Sequence, residues 1–162
     1  LKKQFKMLLG ALLFFTSAGA QNTDALFLEA AITKLRHSKE YTLKIARLMP
    51  EEKFSFRPDA TEMTFGDQLL HISANMGWLC SRYLNGSENP VSPTDKKAVK
   101  KDEIVQVVIK TYDYAISVLE KFNTAQLHDT VSFFAGPMKK LQIINLVNDH
   151  QTHHRGQLVV YL

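Results

Sequence analysis

Four stretches of the chain carry apolar residues at helical spacing. From about Thr23 to Met49, the positions Leu28, Ile32, Leu35, Thr42, Ala46 and Met49 fall on one stripe, and Pro50 stops it. A polar connector from Glu51 to Met63, with Pro58 inside it, leads to a second helix over about Thr64 to Leu84. Asn85-Gly86 ends that helix, and Pro90, Ser92 and Pro93 mark a long loop. The third pattern runs from about Asp102 to Phe122, with Ile104, Val108, Ala115, Leu119 and Phe122 in register. Asp102 and Glu103 sit in its first turn, where carboxylates suit the positive end of the helix dipole. Leu127 to Gly136 has room for a short extended piece. Pro137 is then expected to open the last helix, at a position where a missing N–H costs nothing. That helix continues through Leu141, Ile144, Val147 and Leu158. Gly156 inside it costs about 1 kcal/mol relative to Ala, which points to packing or a site that needs the space. Four amphipathic helices predict an all-α fold, a single four-helix bundle.

The first twenty residues, LKKQFKMLLGALLFFTSAGA, have a different character. Lys2, Lys3 and Lys6 precede a greasy run from Met7 to Phe15, and Ala18-Gly19-Ala20 supplies an A-x-A cleavage site before Gln21. The apolar run is shorter than the ~20 residues a spanning helix needs. Residues 1–20 are therefore expected to be a secretory signal peptide, and residues 21–162 an exported, periplasmic bundle domain with no membrane segment of its own. The chain starts at Leu1 and stops inside a helical pattern at Tyr161-Leu162. This points to an alternative or clipped start and an incomplete C-terminus.

Composition narrows the function classes. A length of 162 residues favours one domain, and one cysteine excludes an internal disulfide framework and any CxxC-based zinc site. Removing Lys2, Lys3 and Lys6 with the leader takes the formal charge from +4 to +1. Nucleic-acid binders carry a concentrated basic surplus. No nucleic-acid partner is expected here.

The candidate chemistry lies in the histidines. In NDHQTHHRGQL, Asn148 to Leu158, His150 and His154 fall about 40° apart on one helical face and can chelate one ion. His153 lies about 60° to the other side of His150, so a His150–His153 pair competes. The strip begins apolar at Ile143 and Leu146 and turns polar from His150, with Gln157 and Tyr161 continuing it. A third ligand is offered by His71, in GDQLLHISANMGWL on the second helix, among residues that should face the core. A buried imidazole needs a hydrogen-bond partner or a metal. Asp67, one turn earlier, is placed to orient that ring or to ligate directly, and Trp78, two turns later, to wall a pocket. Cys80 falls on the opposite side, as a buried apolar side chain. His37 and His128 read as solvated residues.

Gln151 follows His150 where a zincin HExxH needs Glu, and no acid has a His three residues on, as a di-iron bundle requires. Three His without bridging carboxylates favour one divalent ion with an open position, Zn²⁺ or Ni²⁺. On spacing alone, satisfied core or surface histidines stand as the competing account.

LLHISANMGWL, after a connector carrying Phe56-Arg57-Pro58, together with FFAGPMKKLQIINLVNDHQTHHRGQL, resembles the DinB-like (DNA-damage-inducible, YfiT-type) metalloprotein superfamily. The resemblance spans about Asn22 to Leu162. It implies an up-down-down-up four-helix bundle, often dimeric, in which one divalent ion is held by three His. By motif those fall on His71, His150 and His154, leaving His153 outside. Members include thiol S-transferases using bacillithiol, mycothiol or glutathione, and a thiol-dependent maleylpyruvate isomerase.

Two functions follow. One is a metal-dependent hydrolase or thiol transferase acting on a small molecule, with Asp67 behind the ligands and Asn75, Trp78, Gln157 and Tyr161 lining the substrate space. The other is a non-catalytic bundle in which an ion cross-links two helices, acting in binding or stress resistance. Arg155, about 140° from His150, is assigned to the bundle or a dimer partner.

Overall fold

In the computed structural model the backbone is described for residues 2–91, 95–98 and 100–162, and the side chains from Thr23 onward except at 92–94, 96 and 99. The side chains of the leader, and Ser92 and Pro93 of the expected loop, lie outside the described residues. Helix α1 (Lys2–Leu48) takes in the backbone of residues 2–22 as well as the predicted stripe. Leu28, Leu35, Thr42, Ala46 and Met49 of that stripe are buried, while Ile32 sits at its edge. Among the described residues no helix is long and apolar enough to cross a membrane.

Helix α2 (Phe65–Leu79) starts where Thr64 caps it, its hydroxyl accepting the Asp67 backbone N–H at 3.1 Å. It passes into a wider π-type turn, Cys80–Asn85, and stops at Gly86. Gly86 has φ +66°, the left-handed conformation that ends helices at least cost in glycine. Helix α3 (Lys101–Glu120) follows, with Asp102 and Glu103 in its first turn. Lys101 extends its ammonium to the carbonyls of Arg47 and Met49, at 3.0 and 2.7 Å. A cation at the end of α1 answers unpaired carbonyls and the negative end of the dipole.

The segment before the last helix corrects the sequence expectation. The extended piece is a hairpin, β1 (Thr130–Phe133) paired antiparallel with β2 (Gly136–Lys139). Pro137 lies in β2 opposite Ser132 and does not open the helix. A two-stranded ribbon leaves both strands as edges, where a proline's missing donor is tolerated. Helix α4 (Lys140–Val160) begins three residues later, with the Gln142 side chain accepting the Lys139 N–H at 2.7 Å. Gly156 corrects a second expectation. A Cβ built there meets nothing within 4 Å, so no close approach requires it.

Contacts along the helices give their directions. Arg36 meets Glu120 and Thr42 meets Tyr112, so α3 runs opposite to α1. Ser38 meets Gln151 and Tyr41 stacks under Arg155, so α4 runs with α1. Gln68 meets His154 and His71 meets His150, so α2 runs opposite to α4. The arrangement is up-down-down-up. Phe65, Leu69, Ile72, Tyr112, Leu119 and Ile143 are among the side chains fully buried between the four helices.

One polar network crosses that core. The Tyr112 hydroxyl donates to Gln151 Oε1 at 3.1 Å and lies 3.0 Å from the Thr42 hydroxyl. Gln151 Nε2 donates to Ser38 Oγ at 3.1 Å and to the Asn148 carbonyl at 2.9 Å. Arg155 donates to Gln151 Oε1 from the rim, which gives it a place in the bundle. Burial pushes the Tyr112 hydroxyl pKa up. These bonds offset the desolvation of each group and fix the rotation of α4 about its axis.

Candidate metal centre

That rotation decides what the other face of α4 presents. Residues 150 and 154 each precede a network member, so with Gln151 and Arg155 turned to α1, His150 and His154 turn to α2. His71 meets them from α2. One ring nitrogen from each of the three lies within 4.8 Å of the others. His71 Nε2 and His150 Nε2 are 3.1 Å apart. Ring centroids are 4.8 Å apart for His71–His150 and 4.5 Å for both pairs involving His154. All three rings are half-buried.

The electrostatics favour neutral rings. Burial lowers the His150 pKa to about 4 from an ordinary 6.5, with the charges of His154, His71 and His153 adding to it. Burial also lowers His71. His154 is lowered by burial and by His71, while the neighbouring Gln157 amide works the other way. Neutral imidazoles with free lone pairs are the form that binds metal ions. Among the described residues no carboxylate joins the three nitrogens. The donor set, three neutral nitrogens from two rigid helices, therefore fits a borderline divalent ion and leaves it short of four ligands.

Asp67 is a correction. It is exposed, and its carboxylate accepts the Thr64 hydroxyl at 2.6 Å, completing the cap of α2 and leaving His71 without it. Tyr161 is another. Its hydroxyl donates to the Met63 carbonyl at 2.8 Å and its ring packs on Phe56 and Phe65, tying the end of α4 to the connector. Asn75 and Gln157 each keep a buried side-chain oxygen without a hydrogen-bond partner. Trp78 packs against Tyr83, Phe133 and Phe134, so the hairpin builds an aromatic platform along the same side of α2. His153 is exposed and stands outside the group, touching only the edge of His154 within it. His37 is exposed, as is His128, which bonds Asp24 at 3.1 Å. Cys80 is fully buried and its thiol pKa is pushed up to about 12 by burial, which leaves it unreactive.

Sequence reasoning missed one residue. Gln68, 2% exposed, places its Oε1 at 2.7 Å from His154 Nδ1. A polar residue on the apolar side of α2, three positions before His71, was the available signal.

The DinB superfamily family model matches residues 34–158, a span that contains all three histidines and Gln68. The chain belongs to the DinB superfamily. Its relatives include the uncharacterized protein YjoA of Bacillus subtilis (strain 168), 24% identical over 128 residues, covering 76% of this chain and 81% of YjoA. The crystal structure of the DinB-like YjoA from Bacillus subtilis superposes with a TM-score of 0.68 at 18% identity, covering 82% of this chain and 88% of that one. A DinB-like protein from Bacillus cereus ATCC 10987 gives 0.69 at 20% identity, covering 82% and 89%. These likenesses establish a DinB-type bundle.

Proposed function

We propose that this DinB-superfamily chain holds one divalent ion, Zn²⁺ or Ni²⁺, through His71, His150 and His154, and is an exported metal-dependent enzyme of the hydrolase or thiol S-transferase class. The observation that carries the proposal is the convergence of three neutral imidazoles within 4.8 Å with no carboxylate among them. Such an ion supplies Lewis acidity, lowering the pKa of a water or thiol at its open position and polarising an electrophile. The chain's own residues hold the rings neutral by burial and fix them on two helices. The unpaired oxygens of Asn75 and Gln157 are acceptors for a substrate N–H or O–H. The substrate is a small molecule, and the working unit a homodimer. Export rests on the lysine-led leader and its A-x-A site.

Substitution with cobalt(II) tests the open position. The visible spectrum of the cobalt-loaded protein is expected to shift on adding azide or a small thiol. A spectrum indifferent to both, at one cobalt per chain, would mean a closed shell and would favour an ion that only ties α2 to α4.

A further inference from the structure

A ring nitrogen can ligate an ion only if it carries no proton, so each histidine of the cluster must sit in the right tautomer. For His71 and His150 the structure leaves the choice open, because their Nε2 atoms face each other at 3.1 Å and either one can be the donor. His154 differs. Its Nδ1 lies 2.7 Å from Gln68 Oε1, an oxygen that can only accept. Nδ1 must then hold the proton, which leaves Nε2 as the ligating nitrogen. Gln68 is 2% exposed, so water does not compete for its carbonyl. It stands one turn before His71 on α2, so a single helix supplies one ligand and the partner of another.

We propose that Gln68 is the positioning residue of this centre: by accepting the Nδ1 proton of His154 it fixes that ring's tautomer and orientation before any ion arrives. The proposal rests on the three-His site of the preceding section. It gives the histidines unequal parts. His154 is the preset ligand, whereas whichever of His71 and His150 carries its proton on Nε2 must move it to Nδ1 before both rings can ligate through Nε2. A neutral amide in this place, where a carboxylate is common, orients the ring without adding negative charge, so an ion held there keeps more of its charge for the ligand at its open position.

Two readouts test this on tag-free protein. Long-range ¹H–¹⁵N spectra of the metal-free wild type report the His154 tautomer directly, with Nδ1 expected to be protonated. Competition with a chelator gives the Zn²⁺ affinity of wild type, Gln68→Met and Gln68→Glu. Removing such an outer partner typically costs about 10–100-fold in metal affinity. Gln68→Met is expected to lose that much and to release the tautomer, with the thermal midpoint of the metal-free protein reported alongside to separate this from a folding defect. Gln68→Glu, which restores the acceptor, is expected to recover the affinity. An Nε2-protonated His154 in the wild type overturns the proposal without any variant. A Gln68→Met protein that binds zinc as tightly as a zinc-binding wild type overturns it while leaving the site standing. A wild type that takes up no zinc overturns the metal site and this role together.

Discussion

Helix α4 carries two polar clusters back to back, and they obey opposite rules. On the side facing α1 and α3, Gln151 closes a network in which Ser38, Thr42 and Tyr112 find partners within 3.1 Å. On the side facing α2, His150 and His154 meet His71, three groups of the same kind that burial and mutual charge keep from protonating. In the first cluster the side chains of Ser38, Thr42, Tyr112 and Gln151 pair with one another, and the Asn148 Oδ1 beside them is the one buried oxygen there without a partner among the described residues. The second has converged lone pairs and lies beside two buried amide oxygens with no partner. Polar groups that satisfy one another hold a fold together, whereas convergent groups left unsatisfied are where a ligand gains most.

Substitutions should separate the two faces. The largest effect is expected from His154→Ala, which should abolish stoichiometric metal binding while His37→Ala and His128→Ala retain it, as measured by elemental analysis. Full retention in His154→Ala would contradict the assignment of the α2 face. Tyr112→Phe removes a hydroxyl that serves two buried partners and should cost about 1–3 kcal/mol in denaturant unfolding. Metal content should be unchanged, which marks the other face as structural. A pH series sharpens the difference further. The His150 pKa is lowered in the folded chain to about 4, so on acidification the unfolded chain takes up this proton first. Stability of the metal-free protein should therefore fall as pH drops from about 6.5 to about 4 and level off below. His150→Ala should flatten that slope, and an unchanged slope would place the cause elsewhere. The smallest effect lies away from both clusters. Gly156→Ala fills open space in a helix interior and should stabilise by about 0.5–1 kcal/mol, visible as a raised denaturant midpoint.

What the sequence made legible follows from which signals are periodic. The stripes through Leu35, Val108 and Ile144 lie in the core, and the Asn85-Gly86 stop is a left-handed glycine. Helical spacing alone put His150 and His154 on one face. The hairpin was half legible, because Val131 and Phe133 favour a strand, but Pro137 also matches a helix start and only tertiary context decides between them. Asp67 shows how proximity on a wheel misleads. Thr64 and Asp67 make a Thr-x-x-Asp capping pattern, and that local bond claims the carboxylate before His71 can. Gln68 escaped notice because a buried amide pairs across helices, with a residue 86 positions away in the chain. Cross-helix polar pairs leave no periodic trace in a single sequence.

The central claim is that His71, His150 and His154 form one metal centre. Its most direct test is the metal content of the protein, purified without an affinity tag, beside its His150→Ala variant. About one divalent ion per chain in the wild type, lost in the variant, is the predicted result. No ion in the wild type, even after reconstitution with Zn²⁺ or Ni²⁺, would contradict the account and leave three histidines packed between helices with no ion to hold.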